Sequence, residues 1–192
     1  FLVDPEADGV ALRAYPTQDG GRAAEVALNG VTVAADAVLG SVEDGLSAIE
    51  LVADHAMIAL SAEAAGAMEA VNTRTAAFLG TREQFGVAIG TFQVLQHTAV
   101  DMFMEQELTT SLMERAAGSV SGAPAERAKA AAAAKIRAGR AGKFVGQKAV
   151  QLHGGMGMTT ELPVGHYFKR LAMIDVTYGT ADHHLKRLAM MD

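Results

Sequence analysis

The residue with the clearest capacity for chemistry is Arg82, which follows a long stretch of helical character. Its planar guanidinium group can donate two parallel hydrogen bonds to the oxygens of a pyrophosphate. An isolated arginine at the end of a helix is more often a solvated surface residue. Arg82 by itself therefore indicates an anion-binding position only weakly.

A second candidate position is the glycine-rich segment that follows the alanine-rich run at 123–150. Gly154, Gly155 and Gly157 fall within four residues of one another. A helix that ends in Gly-Gly is expected to pass through a left-handed conformation, and the missing side chains let another molecule approach the backbone closely. A simple turn between two helices uses the same residues, so this segment is also weak evidence when taken alone.

Taken together, the two segments resemble the two signatures of acyl-CoA dehydrogenases. The first reads TREQFGVAIGTFQVLQH over residues 81–97, and the second reads QLHGGMGMTTELP over residues 151–163. They occur in the family's order and with a similar intervening length, which argues against chance agreement. The sequence is therefore identified as similar to the C-terminal half of this family.

The resemblance implies that two groups of residues bind FAD. The first group would meet the pyrophosphate and adenosine half of a flavin held mainly by a neighbouring subunit. Its members are Arg82, Gln84, Phe85, Gln93, Gln151, Leu152, His153, Gly154 and Gly155. Thr180 and Asp182 would instead contact the flavin in the chain's own site.

The catalytic position departs from the family pattern. Family members remove the acyl α-proton with a glutamate that directly precedes a Gly-Thr pair, and this sequence has Tyr178 there. Relatives that carry the base on the first long helix place it where this sequence has Ala56. A tyrosine with an ordinary pKa near ~10 is a poor general base at neutral pH. No residue is therefore assigned as catalytic, while Gly179 is expected to contact the substrate.

Other ionisable residues near these positions have weaker claims. Asp54 matches a family position that helps to hold acyl-CoA, so substrate contact is its expected role. His55 is a minor candidate for acid–base chemistry. Adjacent helical residues such as His183 and His184 point about 100° apart and are not expected to share a metal ion, so no metal ligand is predicted.

The pattern is most similar to the small subunits of two-component acyl-CoA dehydrogenases, which lack the glutamate. That resemblance implies α,β-dehydrogenation of a dicarboxylic or steroid side-chain CoA thioester, with an electron-transfer flavoprotein as the flavin's oxidant. The expected assembly is a homodimer or homotetramer, or a heterotetramer with a catalytic subunit. Two alternatives stay open: a self-sufficient dehydrogenase that uses Tyr178 or His55 as its base, and a non-enzymatic helical assembly module.

Composition limits the class of protein. Half of the 192 residues are apolar, only 5% are aromatic, and the net charge of −6 argues against nucleic-acid binding. No uninterrupted apolar run reaches the ~18 residues expected of a membrane helix, and no signal peptide is visible. The absence of cysteine excludes a disulfide framework and is compatible with the cytoplasm, which is the expected location.

The first 40 residues have the character of a β-meander. Turn residues separate short segments at Val10–Tyr15, Glu25–Leu28 and Val31–Ala34. The resemblance implies that residues 1–40 are the later part of the family's central β-domain. Phe1 lies within what reads as a strand, so the sequence is expected to be a fragment.

Residues 41–192 predict a mainly α-helical domain, in which an antiparallel four-helix-type bundle includes a terminal helix pair. Three long helices are expected at about 43–79, 91–117 and 125–152. On the third, Gly139, Gly142 and Gly146 would permit close contact between helices. The terminal pair is expected to start at 159–161, with Pro163 in its first turn, and at Asp182.

Overall fold

The computed structural model describes residues 1–191, and Asp192 lies outside the described residues. Its first compact unit, residues 1–52, contains one antiparallel hairpin of β1 (Val10–Pro16) and β2 (Arg22–Leu28). The predicted strand at 31–34 was wrong. That segment is irregular and leads into a single 3-10 turn, because no neighbouring strand pairs with it in the described residues.

The mainly helical fold with a terminal helix pair is confirmed. A short hairpin of β3 (Glu83–Gln84) and β4 (Val87–Ala88) separates the first two helices. The helices are α1 (Gly45–Thr81), α2 (Gln93–Gly118), α3 (Pro124–His153), α4 (Val164–Val176) and α5 (Ala181–Ala189). Helix α4 starts later than the sequence predicts. Residues 154–158 form a 3-10 turn, residues 159–162 are irregular, and Pro163 is the residue that precedes the first helical turn.

Side-chain contacts fix the directions of the helices. Near their N-terminal ends, Asp54 of α1 pairs with Arg127 of α3 over 3.2 Å, and near their C-terminal ends the rings of Phe78 and His153 stack. Helices α1 and α3 run parallel to each other, because residues in the same order along each helix are in contact. The C-terminal ends of α1 and α3 therefore lie at the same end of the bundle.

Glycines on α3 bring α4 unusually close. A methyl group added at Gly142 would lie 3.2 Å from Leu171, and one at Gly146 would lie 2.6 Å from Phe168. Any larger residue would push the two helices apart. The predicted role of these glycines in close helix contact is confirmed.

The core of the bundle is formed by the facing surfaces of α1, α2, α3 and α4. It consists of small and medium apolar side chains that are almost fully buried, including Met68, Val71, Met102, Ala141, Val145, Leu171 and Ile174. The compact unit that holds this core begins at Ala53, inside α1. The predicted domain division at 1–40 and 41–192 stays a prediction.

Helix α1 is long and apolar enough to cross a membrane, judged by length and composition alone. Core helices of globular proteins pass the same test. Here one face of α1 is buried in the bundle, and its Glu63 forms a two-point ion pair with Arg170 of α4, with N–O distances of 2.5 and 2.7 Å. The expectation that the chain does not insert into a membrane stays a prediction.

Candidate functional site

Arg82 lies in the tight connection that follows α1. Its backbone N–H donates to the carbonyl of Phe78, and its carbonyl accepts from the N–H of Ile89, both over 2.8 Å. Phe85 and Gly86 have φ values of 56° and 80°, as a type I′ hairpin turn requires. Phe85 is 93% exposed and touches only the edge of the Phe92 ring among the aromatic side chains of the described residues.

The second signature begins where α3 ends. Gly154, the residue that closes the helix, has φ 57° and ψ −138°, a conformation that is open almost only to glycine. Nothing in the described residues lies within 4 Å of a methyl group added at Gly154 or Gly155. The backbone at this turn is therefore accessible to another molecule, and the predicted left-handed passage through Gly154 is confirmed.

A ring contact joins the two signature segments. The rings of Phe78 and His153 stack with centroids 4.4 Å apart, and Nδ1 of His153 donates to the carbonyl of Ala149 over 2.8 Å. Phe78 also accepts the backbone hydrogen bond from Arg82. The stack therefore brings the Arg82 loop and the glycine turn to one end of the bundle.

The donors at this end of the bundle suit an anionic ligand. Within residues 1–191, the side chains of Arg82, Gln93 and Gln151 are exposed and have no hydrogen-bond or ion-pair partner. A guanidinium group, two amides and open glycine N–H groups can together bind phosphate oxygens. These residues fit the pyrophosphate of a dinucleotide cofactor.

Tyr178, Gly179 and Thr180 lie in the connection between α4 and α5. Tyr178 and Gly179 have φ values of 57° and 99°. Thr180 caps α5, because its Oγ1 accepts from the N–H of His183 over 3.3 Å. Asp182, in the first turn of α5, is exposed and lies 3.5 Å from Arg140.

Two titratable side chains hold the carbonyls of this connection. The buried ammonium of Lys135 donates to the carbonyls of Asp175 and Gly179, each over 2.8 Å. Nε2 of His184 lies 2.8 Å from the carbonyl of Tyr178. Because a carbonyl can only accept, the proton of neutral His184 is on Nε2.

Burial changes the titration of both groups. Burial lowers the pKa of Lys135, and the nearby carboxylate of Asp175 opposes part of that change. Burial also lowers the pKa of His184. The hydrogen bond to Tyr178 opposes that shift, whereas the charges of Lys135, His183 and Arg187 add to it. Nδ1 of His184 is buried without a partner in the described residues, so a second ring proton would be left unsatisfied there.

Asp54 is buried among basic side chains. Its Oδ2 accepts from Nε of Arg127 over 3.2 Å, and its Oδ1 lies 3.9 Å from Arg187. Only 1% of Asp54 is exposed. The expected contact between Asp54 and a substrate stays a prediction, and in this structure the carboxylate is bound within the bundle.

The two groups of predicted site residues are far apart. Lys135 of α3 binds the α4–α5 connection, and His153 is the last residue of α3 before the glycine turn. With the 1.5 Å rise per residue of an α-helix, they are separated by roughly 27 Å. One pyrophosphate cannot contact both groups of a single chain.

Comparison with known proteins identifies the family. The family model for the C-terminal domain of acyl-CoA dehydrogenases matches residues 43–191. The chain belongs to the acyl-CoA dehydrogenase family. The probable acyl-CoA dehydrogenase FadE25 of Mycobacterium tuberculosis is 26% identical over 190 residues, which cover 99% of this chain and 47% of that protein.

Two solved structures of related complexes share the fold. The steroid ACAD Tcur3481–Tcur3483 is 32% identical, with a TM-score of 0.89, over 98% of this chain and 50% of that one. The ChsE4–ChsE5 complex of Mycobacterium tuberculosis is 28% identical, with a TM-score of 0.89, over 99% of this chain and 50% of that one. The chain thus spans about half the length of these relatives.

The residues predicted to occupy the family's two base positions are Tyr178 and Ala56. Tyr178 is 52% exposed, and its hydroxyl makes no hydrogen bond within residues 1–191. Ala56 is partly buried on α1, while His55 points to the exposed side of that helix. No group of three His, Asp or Glu side chains in residues 1–191 could hold a metal ion.

Sequence reasoning missed three polar residues, namely the buried Arg127 and Lys135 and the partly buried Asp175. A signal existed for Lys135. It falls on the buried alanine stripe of α3, three to four residues from Ala131 and Ala138. A lysine in an apolar stripe is almost never buried unless it has partners. The partners themselves are 40 and 44 residues away and could not be read from the pattern.

The lowered pKa of His184 predicts that stability depends on pH. Below about 6.5 the unfolded chain takes up a proton that folded His184 resists. The free energy of unfolding should therefore fall with decreasing pH below 6.5, by at most about 1.4 kcal/mol per pH unit from this group. Urea titrations between pH 7.5 and 5 should show this slope reduced in His184→Gln. It should persist in His183→Gln, the exposed control, and an unchanged slope in His184→Gln would contradict the prediction.

Proposed function

We propose that this chain is part of a FAD-binding acyl-CoA dehydrogenase subunit that completes the flavin site of a glutamate-bearing partner. The observation that carries the proposal is the separation of the two site groups. Arg82 and the glycine turn lie at one end of the bundle, and the α4–α5 connection lies roughly 27 Å along α3. A chain built in this way would serve two flavin positions, one in its own site and one in a neighbour's.

The end of the bundle that carries Arg82 would hold the pyrophosphate of the neighbour's flavin. The Arg82 guanidinium would bind phosphate oxygens, and Gly154 and Gly155 would let the cofactor lie against the backbone. The exposed Phe85 ring would be covered on assembly. When bound, FAD would supply the acceptor for the hydride that leaves the acyl β-carbon.

The chain's own site would hold a flavin through Thr180 and Asp182 but would lack a base for the acyl α-proton. The Tyr178 hydroxyl makes no hydrogen bond within residues 1–191, and the nearby ammonium of Lys135 is bound to two backbone carbonyls. Arg187, near Tyr178 in sequence, lies instead against Asp54. A protonated phenol cannot remove the α-proton. The base would therefore come from a partner subunit, and a separate electron-transfer flavoprotein would reoxidise the flavin.

The related complexes support this assignment of partner and substrate. One solved relative is described as a steroid ACAD, and another is a complex of two different proteins. We therefore propose a heterotetramer in the cytoplasm that dehydrogenates a steroid side-chain or dicarboxylic CoA thioester. The alternative of a homo-oligomer that uses Tyr178 or His55 predicts turnover by the chain without a partner. The alternative of a non-enzymatic helical module predicts that no flavin is bound.

Removing the Arg82 guanidinium should weaken flavin binding. A charge-assisted hydrogen bond contributes about 1.5–3 kcal/mol, so the loss of even one of the two in Arg82→Ala should raise the Kd for FAD by at least roughly 10- to 150-fold. Flavin retention by the full-length protein, assembled with its partner, can be followed by absorbance during dialysis. Arg74→Ala removes the same group from an exposed position on α1 and is the matched control. Equal retention in the Arg82 variant and in the control would refute the proposed role of Arg82.

A further inference from the structure

The α4–α5 connection is a strained turn. Tyr178 has a positive φ of 57°, which is uncommon for a residue other than glycine, and Gly179 follows with 99°. The conformation of Tyr178 is strained and persists only where surrounding contacts hold it, whereas a positive φ is readily adopted by glycine. The contacts that hold this turn therefore decide where the side chain at position 178 lies.

The main contact is made by Lys135 of α3. Its ammonium binds the carbonyl of Asp175 in the last turn of α4 and the carbonyl of Gly179 within the turn. In the sequence, Tyr178 lies between these two contacts. The ammonium thus fixes the backbone on both sides of position 178 without touching the side chain there.

The space around this contact is closed by two neighbours. The Asp175 carboxylate occupies the position that a methyl group would take at Gly139, and its Oδ1 accepts from the N–H of Ala181 over 3.1 Å. His184 binds a further carbonyl of the turn, that of Tyr178. Burying an ammonium group is expensive, and an apolar side chain of similar volume would serve packing equally well or better. The hydrogen bonds to the turn, rather than packing, account for a lysine at this position.

We propose that Lys135 is a positioning residue that fixes the strained turn at 177–180 and thereby sets the direction of the side chain at 178. The proposal rests on the proposed function at one point, namely that residue 178 and Thr180 face the chain's own flavin site. Lys135 does not contact the reacting atoms, and it acts through the backbone of Asp175 and Gly179. Its removal should release residue 178 while the helical bundle stays folded.

Fluorine NMR of the full-length protein, labelled with 3-fluorotyrosine and loaded with FAD, tests this directly. This chain contributes only three tyrosines, Tyr15, Tyr167 and Tyr178, and the spectrum of Tyr178→Phe assigns the resonance of Tyr178. In Lys135→Met, that resonance should move towards the position of free fluorotyrosine, or split, while the Tyr167 resonance stays in place. Met68→Ala, a core substitution on α1, controls for a loss of stability without a contact to the turn.

A second variant covers the case in which Lys135→Met does not fold. Lys135→Gln fills similar space and keeps one amide donor, so it should release the turn in part. The pKa of His184 should rise in either folded variant, because the charge of Lys135 contributes to lowering it. An unchanged Tyr178 resonance in a folded Lys135 variant overturns the proposal. Loss of FAD by the unmodified protein would refute the proposed function instead, and the Tyr178 resonance would still decide the role of Lys135.

Discussion

Replacing Tyr178 with glutamate should give the chain's own site a base and raise its turnover of acyl-CoA esters roughly 100- to 10,000-fold, the usual contribution of a positioned general base. The backbone at this position is held by Lys135 and His184 and does not depend on the tyrosine side chain. Tyr178 is half exposed and its hydroxyl has no hydrogen-bond partner within residues 1–191, so the exchange should be tolerated.

The measurement is anaerobic bleaching of the flavin by a panel of acyl-CoA esters, with the full-length chain expressed alone and loaded with FAD. The unmodified chain should be inactive alone and should become active only with a glutamate-bearing partner. Tyr178→Gln has the shape of glutamate without its basicity and should stay inactive. Equal turnover by the Glu and Gln variants would show that position 178 does not face the substrate.

The Tyr178→Phe variant tests the alternative in which tyrosine itself is the base. If the unmodified chain turned over alone and the Phe variant did not, tyrosine would be the base and the chain would be self-sufficient. The Glu variant adds a second criterion, because its rate should rise with pH as the carboxylate loses its proton. A tyrosine base would instead require pH values closer to the pKa of a phenol.

The helical part of the fold was predictable from local pattern. The apolar period of α1, α2 and α3 runs over more than 25 residues in each case, and such long periodic segments specify a helix strongly. The glycines of α3 also indicated a close contact between helices, because they recur on one face of the helix. The position of Arg82 just after α1 followed from where that period ends.

What the sequence could not supply were contacts between distant segments. Arg127 and Asp54 are 73 residues apart and pair only because α1 and α3 run parallel. The start of α4 was misplaced, because the hydroxyl of Thr159 donates back to the carbonyl of Met156 and does not cap a helix that follows it. The strand expected at 31–34 failed because strand formation depends on a partner, which local propensity does not reveal.

The buried pair of Asp54 and Arg127 should be among the most costly single sites to disrupt. Removing one partner of a buried ion pair leaves an uncompensated charge, so Arg127→Met should lower the free energy of unfolding by about 3–5 kcal/mol. Arg187 lies 3.9 Å from the other carboxylate oxygen, too far to replace the hydrogen bond without rearrangement. Urea unfolding followed by circular dichroism gives the difference directly.

A double variant shows how much of the lost stability is due to the unpaired charge of Asp54 and how much to lost packing of Arg127. Adding Asp54→Asn to Arg127→Met removes the buried charge and should recover a large part of the lost stability, as expected for coupled neighbours. Arg140→Met disrupts an exposed pair with Asp182 and should cost at most about 1 kcal/mol. If Asp54 serves the substrate instead, Arg127→Met should leave stability nearly unchanged and alter the KM for acyl-CoA. A large loss of stability that Asp54→Asn relieves would place Asp54 among the residues that hold α1 and α3 together.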